Sequence, residues 1–178
     1  MPKIDAAAVP VRKGSGYPPP FDAPCADRTR RRLGDAGGLR DFGVNLMTMP
    51  PGGWSSQRHW HSHEDEFVYV LEGKLKAGPR SIAAGEYAYF PASSPDLLSA
   101  SHAARAAVIE KPYQSLKGAA GPAFLTGKES EIAGQPFMGD DALHVRTLLP
   151  ADPAFDFAVN TMTFQPGATL PMVEVHVM

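Results

Sequence analysis

Between residues 41 and 110, short apolar runs are separated by glycine, proline and polar residues. DFGVNLMTM (41–49) offers Phe42, Val44, Leu46, Met47 and Met49 for packing and stops at Pro50-Pro51-Gly52-Gly53, which predicts a strand and a turn. EFVYVL (66–71) is a β-branched and aromatic run that reads as another strand; it turns at Glu72-Gly73 into KLKA. Gly78-Pro79 makes a further turn, residues 80–83 a short strand, and Gly85 introduces YAYF; residues 97–101 and 105–110 close the series. Many short strands with turn residues between them, and no amphipathic helical period, predict an all-β antiparallel barrel or jelly roll over 41–113.

Outside that region the pattern loosens. Residues 1–40 hold six prolines and five glycines, which predicts an extended N-terminal arm with one short strand at its start or end. Residues 114–145 show little apolar alternation and read as a linker, ordered over the barrel surface in places by Phe124, Leu125, Ile132 and Phe137.

The chemistry concentrates in PGGWSSQRHWHSHEDEFVYVLEG (51–73). Three of the six histidines fall within five residues beside an acidic cluster, which favours a ligand site over a solvated loop. On a strand His59 and His61 share one face, while Arg58, Trp60 and Ser62 take the other. Glu66 opens the next strand, beside the histidines if the two strands pair. Two imidazoles and a carboxylate suit a divalent first-row metal with positions left open for water or substrate. His63 stands two residues from His61 and is an alternative to either histidine.

The spacing Gly53, five residues, His59-x-His61, four residues, Glu66, six residues, Gly73 resembles the first motif of the cupin superfamily. The resemblance implies a double-stranded β-helix, or jelly-roll barrel, with His59, His61 and Glu66 as metal ligands at one end. The family's second motif is matched at Gly85, Pro91, Ser93 and Asp96, so Asp96 takes the place of the fourth ligand, with His102 as a substitute. Arg58, Tyr87 and Tyr89 are candidate substrate contacts.

The sequence also repeats itself. DFGVNLMTMPPGG (41–53) aligns without a gap on DFAVNTMTFQPGA (156–168), and in the same register His59 falls on Glu174 and His61 on His176. The repeat predicts that 146–178 begins a second, incomplete barrel. Its strands either dock on the first barrel, dimerise, or belong to a longer chain, and the last is the expectation.

AAGEYAYFPASSPD, IEKPYQ and LLPADPAFDFAVNTMTFQPGATLPMVEVHVM resemble ureidoglycine aminohydrolase, a two-barrel family of purine and ureide breakdown. This resemblance implies manganese in the second barrel, a metal-activated water that releases ammonia from ureidoglycine, and Glu174 and His176 as the first two ligands of that site. The family's further ligands would lie beyond Met178. The first barrel departs from that family, since SSQRHWHSHEDEFVYVLEG looks like single-domain metal cupins. The chain is therefore either a divergent member or a join of two cupin sequences near VYVLEG.

Composition narrows the partners. A formal charge of −2 without a basic face argues against nucleic acid, and Arg28, Arg30, Arg31 and Arg32 read as a solvated or subunit-contacting segment rather than an anion site. The lone Cys25 excludes an internal disulfide and has no neighbouring base. No stretch is long enough to span a bilayer and no signal-peptide core opens the chain. The expectation is a cytoplasmic homo-oligomer acting on a small molecule with a divalent metal, manganese first, then iron, nickel or zinc. Three functions stay open: a metal-dependent aminohydrolase, a single-site oxygenase or isomerase, and a regulatory cupin binding a small ligand.

Overall fold

The computed structural model describes residues 3–57, 61–94, 98–170 and 172. In chain order the strands are β1 (Arg12–Lys13), β2 (Thr29–Arg32), β3 (Gly43–Met49), β4 (Glu64–Glu72), β5 (Lys74–Ala77), β6 (Arg80–Ala83), β7 (Glu86–Phe90), β8 (Leu98–Ser99), β9 (Ala104–Pro112), β10 (Leu125–Lys128), β11 (Gln135–Phe137), β12 (Asp140–Thr147) and β13 (Asn160–Phe164). One helical turn, α1 (Leu33–Gly37), follows β2.

All pairings are antiparallel. A seven-stranded sheet runs β1-β2-β3-β9-β4-β7-β10 and faces a small sheet ordered β6-β5-β8. Period-two alternation builds the core between them: Met47 and Met49 of β3, Val68 and Val70 of β4, Ala88 and Phe90 of β7, and Ala104, Ala106 and Val108 of β9 meet Leu75, Ala77, Ile82 and Leu98. This is the jelly-roll barrel that the strand spacing predicts. At the turn from β4 to β5, Gly73 adopts φ +76° and a Cβ there would collide with the carbonyl oxygen of Ala103, so glycine is required.

The outer face of the large sheet is also covered. Phe67, Tyr87 and Tyr89 are buried with Leu148 and Leu149, and Phe155, Phe157 and Val159 pack against them. The second repeat thus docks on the first barrel. The fit is polar as well as apolar: Lys111 is paired with Asp156, and the Tyr113 hydroxyl donates to the Ala154 carbonyl at 3.1 Å.

Several expectations change. The arm is built into the barrel: β2 pairs along β3 and β1 along β2, because the free edge of β3 would otherwise leave its backbone groups unpaired. The segment 114–145, expected as a linker, holds strands. Its β10 pairs with the open edge of β7 from Leu125↔Tyr89 to Lys128↔Glu86, and Phe124 packs on Phe90 at a ring separation of 5.3 Å.

The repeat is real in three dimensions and longer than the sequence match. Strands β11, β12 and β13 form a three-stranded sheet whose registers copy β1, β2 and β3. Arg32↔Asn45 and Thr29↔Thr48 in the first copy correspond to Thr147↔Asn160 and His144↔Thr163 in the second. Arg12↔Arg30 corresponds to Gln135↔Val145. The turns after β3 and β13 match too. Gly53 N–H donates to Pro50 at 3.0 Å and Ala168 N–H to Gln165 at 2.9 Å, and Gly52 and Gly167 both have positive φ.

Candidate metal centre

Glu66 lies on the inward face of β4, opposite Glu110 of β9 on one side and Phe90 of β7 on the other. The end of the barrel at this point is polar. Ser55, Ser56, His61, Glu64, Glu66, Phe90 and Ser94 line a cavity of about 30 Å³, the room of one water molecule or one cation.

His61 is held there by its neighbours. Its carbonyl accepts from Ser93 N–H at 2.5 Å, and the His63 carbonyl accepts from Tyr113 N–H at 2.7 Å, which pins the loop across the mouth. The His61 Nδ1 lies 2.8 Å from Glu64 Oε2, and its Nε2 lies 3.8 Å from Glu66 Oε2. With Nδ1–H donated to Glu64, the Nε2 lone pair faces Glu66. A carboxylate behind the ring is the arrangement that orients histidine toward a metal.

Glu66 is the electrostatic centre. Burial first, then the neighbouring Glu110 and Glu64, push its carboxyl from an ordinary 4.5 up to about 8. Glu110 is steadied by Asn45, whose Nδ2 donates to Oε2 at 3.0 Å. Two carboxylates, Glu64 and Glu66, line the small cavity with one imidazole, and Glu110 adds a third like charge beside Glu66, an arrangement a divalent cation would relieve. That donor set fits a hard or borderline ion. Among the described residues no group of three or more His, Cys, Asp or Glu side chains is placed so as to hold a metal ion by itself. His59, expected as a further ligand, lies outside the described residues, as do Arg58, Asp96, Glu174 and His176. Ser94 and Leu98, which flank the 95–97 segment, both line the cavity.

Other expected site residues are elsewhere. Of the described residues beside His59 and His61, 55–57 and 62–63 are bends, and the Ser55 hydroxyl donates to the Leu98 carbonyl at 3.0 Å. His63 is exposed and bonded to the Ser62 hydroxyl at 2.7 Å, so it does not replace His61 in the cavity. His102 is exposed before β9, whose Arg105 pairs with Glu72 while Glu110 pairs with Glu66. It therefore sits at the opposite end of the barrel, some six strand residues or roughly 20 Å away, and does not serve as fourth ligand. Tyr87 and Tyr89 point to the outer face, opposite in parity to Phe90, and do not line the mouth. Tyr89 is buried instead under Phe155, its hydroxyl donating to Asp65, which also accepts from Ala92 N–H at 2.8 Å.

Sequence reasoning passed over Glu64, Glu110 and Asn45. The signal was present, since Glu110 shares the parity of Ala104, Ala106 and Val108, and Glu64 that of Glu66.

An antiparallel jelly roll with an imidazole and carboxylates at one end defines the class: a small β-barrel with a polar, acidic mouth. Residues 45–106 match the family model described as Cupin domain. A solved sugar phosphate isomerase from a cupin superfamily of Silicibacter pomeroyi is 30% identical, covering 95% of this chain and 96% of that one, with a TM-score of 0.57. This chain belongs to the cupin superfamily. A solved Pseudomonas aeruginosa protein described as glyoxylate-induced shares the fold at a TM-score of 0.74 and 22% identity, over 93% of this chain and 63% of that one. The (S)-ureidoglycine aminohydrolase of Arabidopsis thaliana is 29% identical over 119 residues, 63% of this chain. The chain spans 39% of that relative's length.

Proposed function

We propose that this chain is a metal-dependent cupin of the ureidoglycine aminohydrolase type, part of the machinery that releases ammonia hydrolytically from ureidoglycine. The observation that supports this most is the partly buried Glu66, opposed by Glu110 and Glu64 and faced by the His61 Nε2: a site whose charge calls for a cation. His61 and Glu66, with His59, would hold a divalent ion, manganese first and iron, nickel or zinc after it. Such an ion, when bound, lowers the pKa of a coordinated water and polarises the group under attack. Glu64 orients the His61 ring and Asn45 fixes Glu110, so the donors are set before a ligand arrives. In the alignment of the two repeats Glu174 falls on His59 and His176 on His61. The substrate is a small nitrogenous metabolite, and the working protein is a cytoplasmic homo-oligomer. Among the described residues no helix is long and apolar enough to cross a membrane. Exposed Met162 and Phe164 on β13 are suited to an apolar contact.

A second reading, a single-site cupin of isomerase type using the first barrel alone, is favoured by the full-length match to the Silicibacter protein. Purified protein loaded with manganese and offered ureidoglycine separates the two. Ammonia release that vanishes in Glu66→Gln or with chelator supports the aminohydrolase; stoichiometric metal without ammonia release moves the assignment to the single-site reading.

A further inference from the structure

The duplication separates what the fold needs from what it does not. Strands β1, β2 and β3 and strands β11, β12 and β13 are the same three-stranded unit in the same register, so side chains at equivalent positions meet equivalent packing demands. Arg31 passes this test as a structural residue. Its Nη1 donates to the Val9 carbonyl, and to Ala7 at 2.9 Å; the equivalent Arg146 donates to the equivalent carbonyl, that of Ile132, at 3.1 Å.

Four other arginines fail it. Arg28, Arg30 and Arg32 share the opposite face of the β2 segment by period two, and Arg12 stands across from Arg30 on β1. Their counterparts in the second copy are Leu143, Val145, Thr147 and Gln135. The hairpin therefore folds without a charge at any of these places. In the first copy the four guanidinium groups crowd together with little to offset them. Arg12 and Arg30 have no hydrogen-bond or ion-pair partner among the described residues, Arg28 donates to the Gly14 carbonyl, and Arg32 is paired with Asp35 at 3.2 Å. Burial, then Arg32, Arg28 and Arg12, depress the Arg30 pKa against the pull of Glu110. Like charges held together in a half-buried hairpin are costly unless an anion joins them.

The position is also telling. The arginine face continues the inward face of the barrel. Arg32 stands across from Asn45, the Asn45 amide bonds Glu110, and Glu110 stands across from Glu66. We propose that Arg12, Arg28, Arg30 and Arg32 form a subsite, centred on Arg30 and reaching the barrel mouth at Arg32, for a small oxyanion, a carboxylate or phosphate group of the ligand. Guanidinium forks recognise both groups by paired, charge-assisted hydrogen bonds. The inference deepens the small-molecule reading of the same mouth and rests on it only for the ligand's location.

Calorimetric titration of the whole protein, without added metal, with inorganic phosphate and separately with malonate, tests it independently of turnover. Saturable binding of at least one anion is expected, and the tighter of the two identifies the group. Arg30→Gln should weaken it about tenfold or more, the loss of a charge-assisted contact. The triple variant Arg28→Leu, Arg30→Val, Arg32→Thr, which borrows the residues of the second copy, should unfold at an unchanged temperature and bind neither anion. Lys13→Gln, which removes a charge of the same hairpin that is paired with Asp27 at 2.8 Å, should leave binding intact. Absence of saturable binding to either anion overturns the proposal. So does unaltered affinity in Arg30→Gln, or an equal loss in Lys13→Gln, which would mark a diffuse charge effect.

Discussion

Glu66 is where the physics is most exposed. Its carboxyl sits near 8 because burial and two like charges disfavour ionisation, whereas in an unfolded chain it would titrate near 4.5. Between these values the native state keeps a proton that the unfolded chain has released, so the metal-free protein loses stability as pH rises from about 4.5 to about 8. A divalent cation must displace that same proton. Metal affinity should therefore climb with pH up to about 8, gaining about tenfold per unit, and flatten above it, which titration in buffers of differing ionisation enthalpy would report as proton release. A pH-independent affinity would remove Glu66 from the ligand set. On the opposite face of the same strand, Asp65 is buried and its carboxyl is raised by burial, with Tyr89 and the Ala92 amide opposing that shift. Tyr89→Phe removes one of those donors and should cost about 1–3 kcal/mol in denaturant unfolding while leaving metal content unchanged.

At the scale of elements, β4 and β9 bring the carboxylates together and the turn at Gly73 joins β4 to the small sheet. Gly73→Ala should destabilise the fold by about 1–3 kcal/mol, measured by chemical denaturation, because alanine meets both a positive φ and the Ala103 carbonyl. These strands were legible in sequence because β-branched and aromatic residues alternate between Gly and Pro stops, and Glu66 was legible because it opens such a run. Other features were not. YAYF is buried on both faces, so parity alone could not say that Ala88 and Phe90 face inward and the two tyrosines outward. The residues after Gly53 looked like a strand bearing two histidines; pairing there reaches a single bridge, Trp54↔Ser99, before the bends at 55–57, and residues 58–60 lie outside the described residues. LTGK, with its short apolar content, gave no sign of β10, which owes its strand to the open edge of β7. His102 is close to the second motif in sequence, yet the direction of β9 carries it to the far end of the barrel.

For the whole molecule the repeat sets the organisation. The first three-stranded unit is completed by β9, which pairs with β3 from Gly43↔Glu110 to Met49↔Ala104, whereas β13 is paired along β12 only among the described residues. Hydrogen exchange should accordingly show the β3 amides well protected and the β13 amides that face away from β12 exchanging fast; equal protection would mean that the free edge is covered in solution. The docking of the second unit on the first rests on Leu148, Leu149 and the Lys111–Asp156 pair. Leu149→Ala should cost about 2–5 kcal/mol, read from the unfolding midpoint, as expected for a cavity in that seam. All of this frames one mouth, where an imidazole and carboxylates meet. The direct measurement is metal content after equilibration with manganese at pH 8 and dialysis, compared between the native chain, His61→Ala and Glu66→Gln. Stoichiometric metal in the native chain, with affinity falling in both variants by more than the roughly 10- to 100-fold of an outer-shell change, is the predicted result. Metal retained equally by all three proteins, or absent from the native chain, would contradict the assignment.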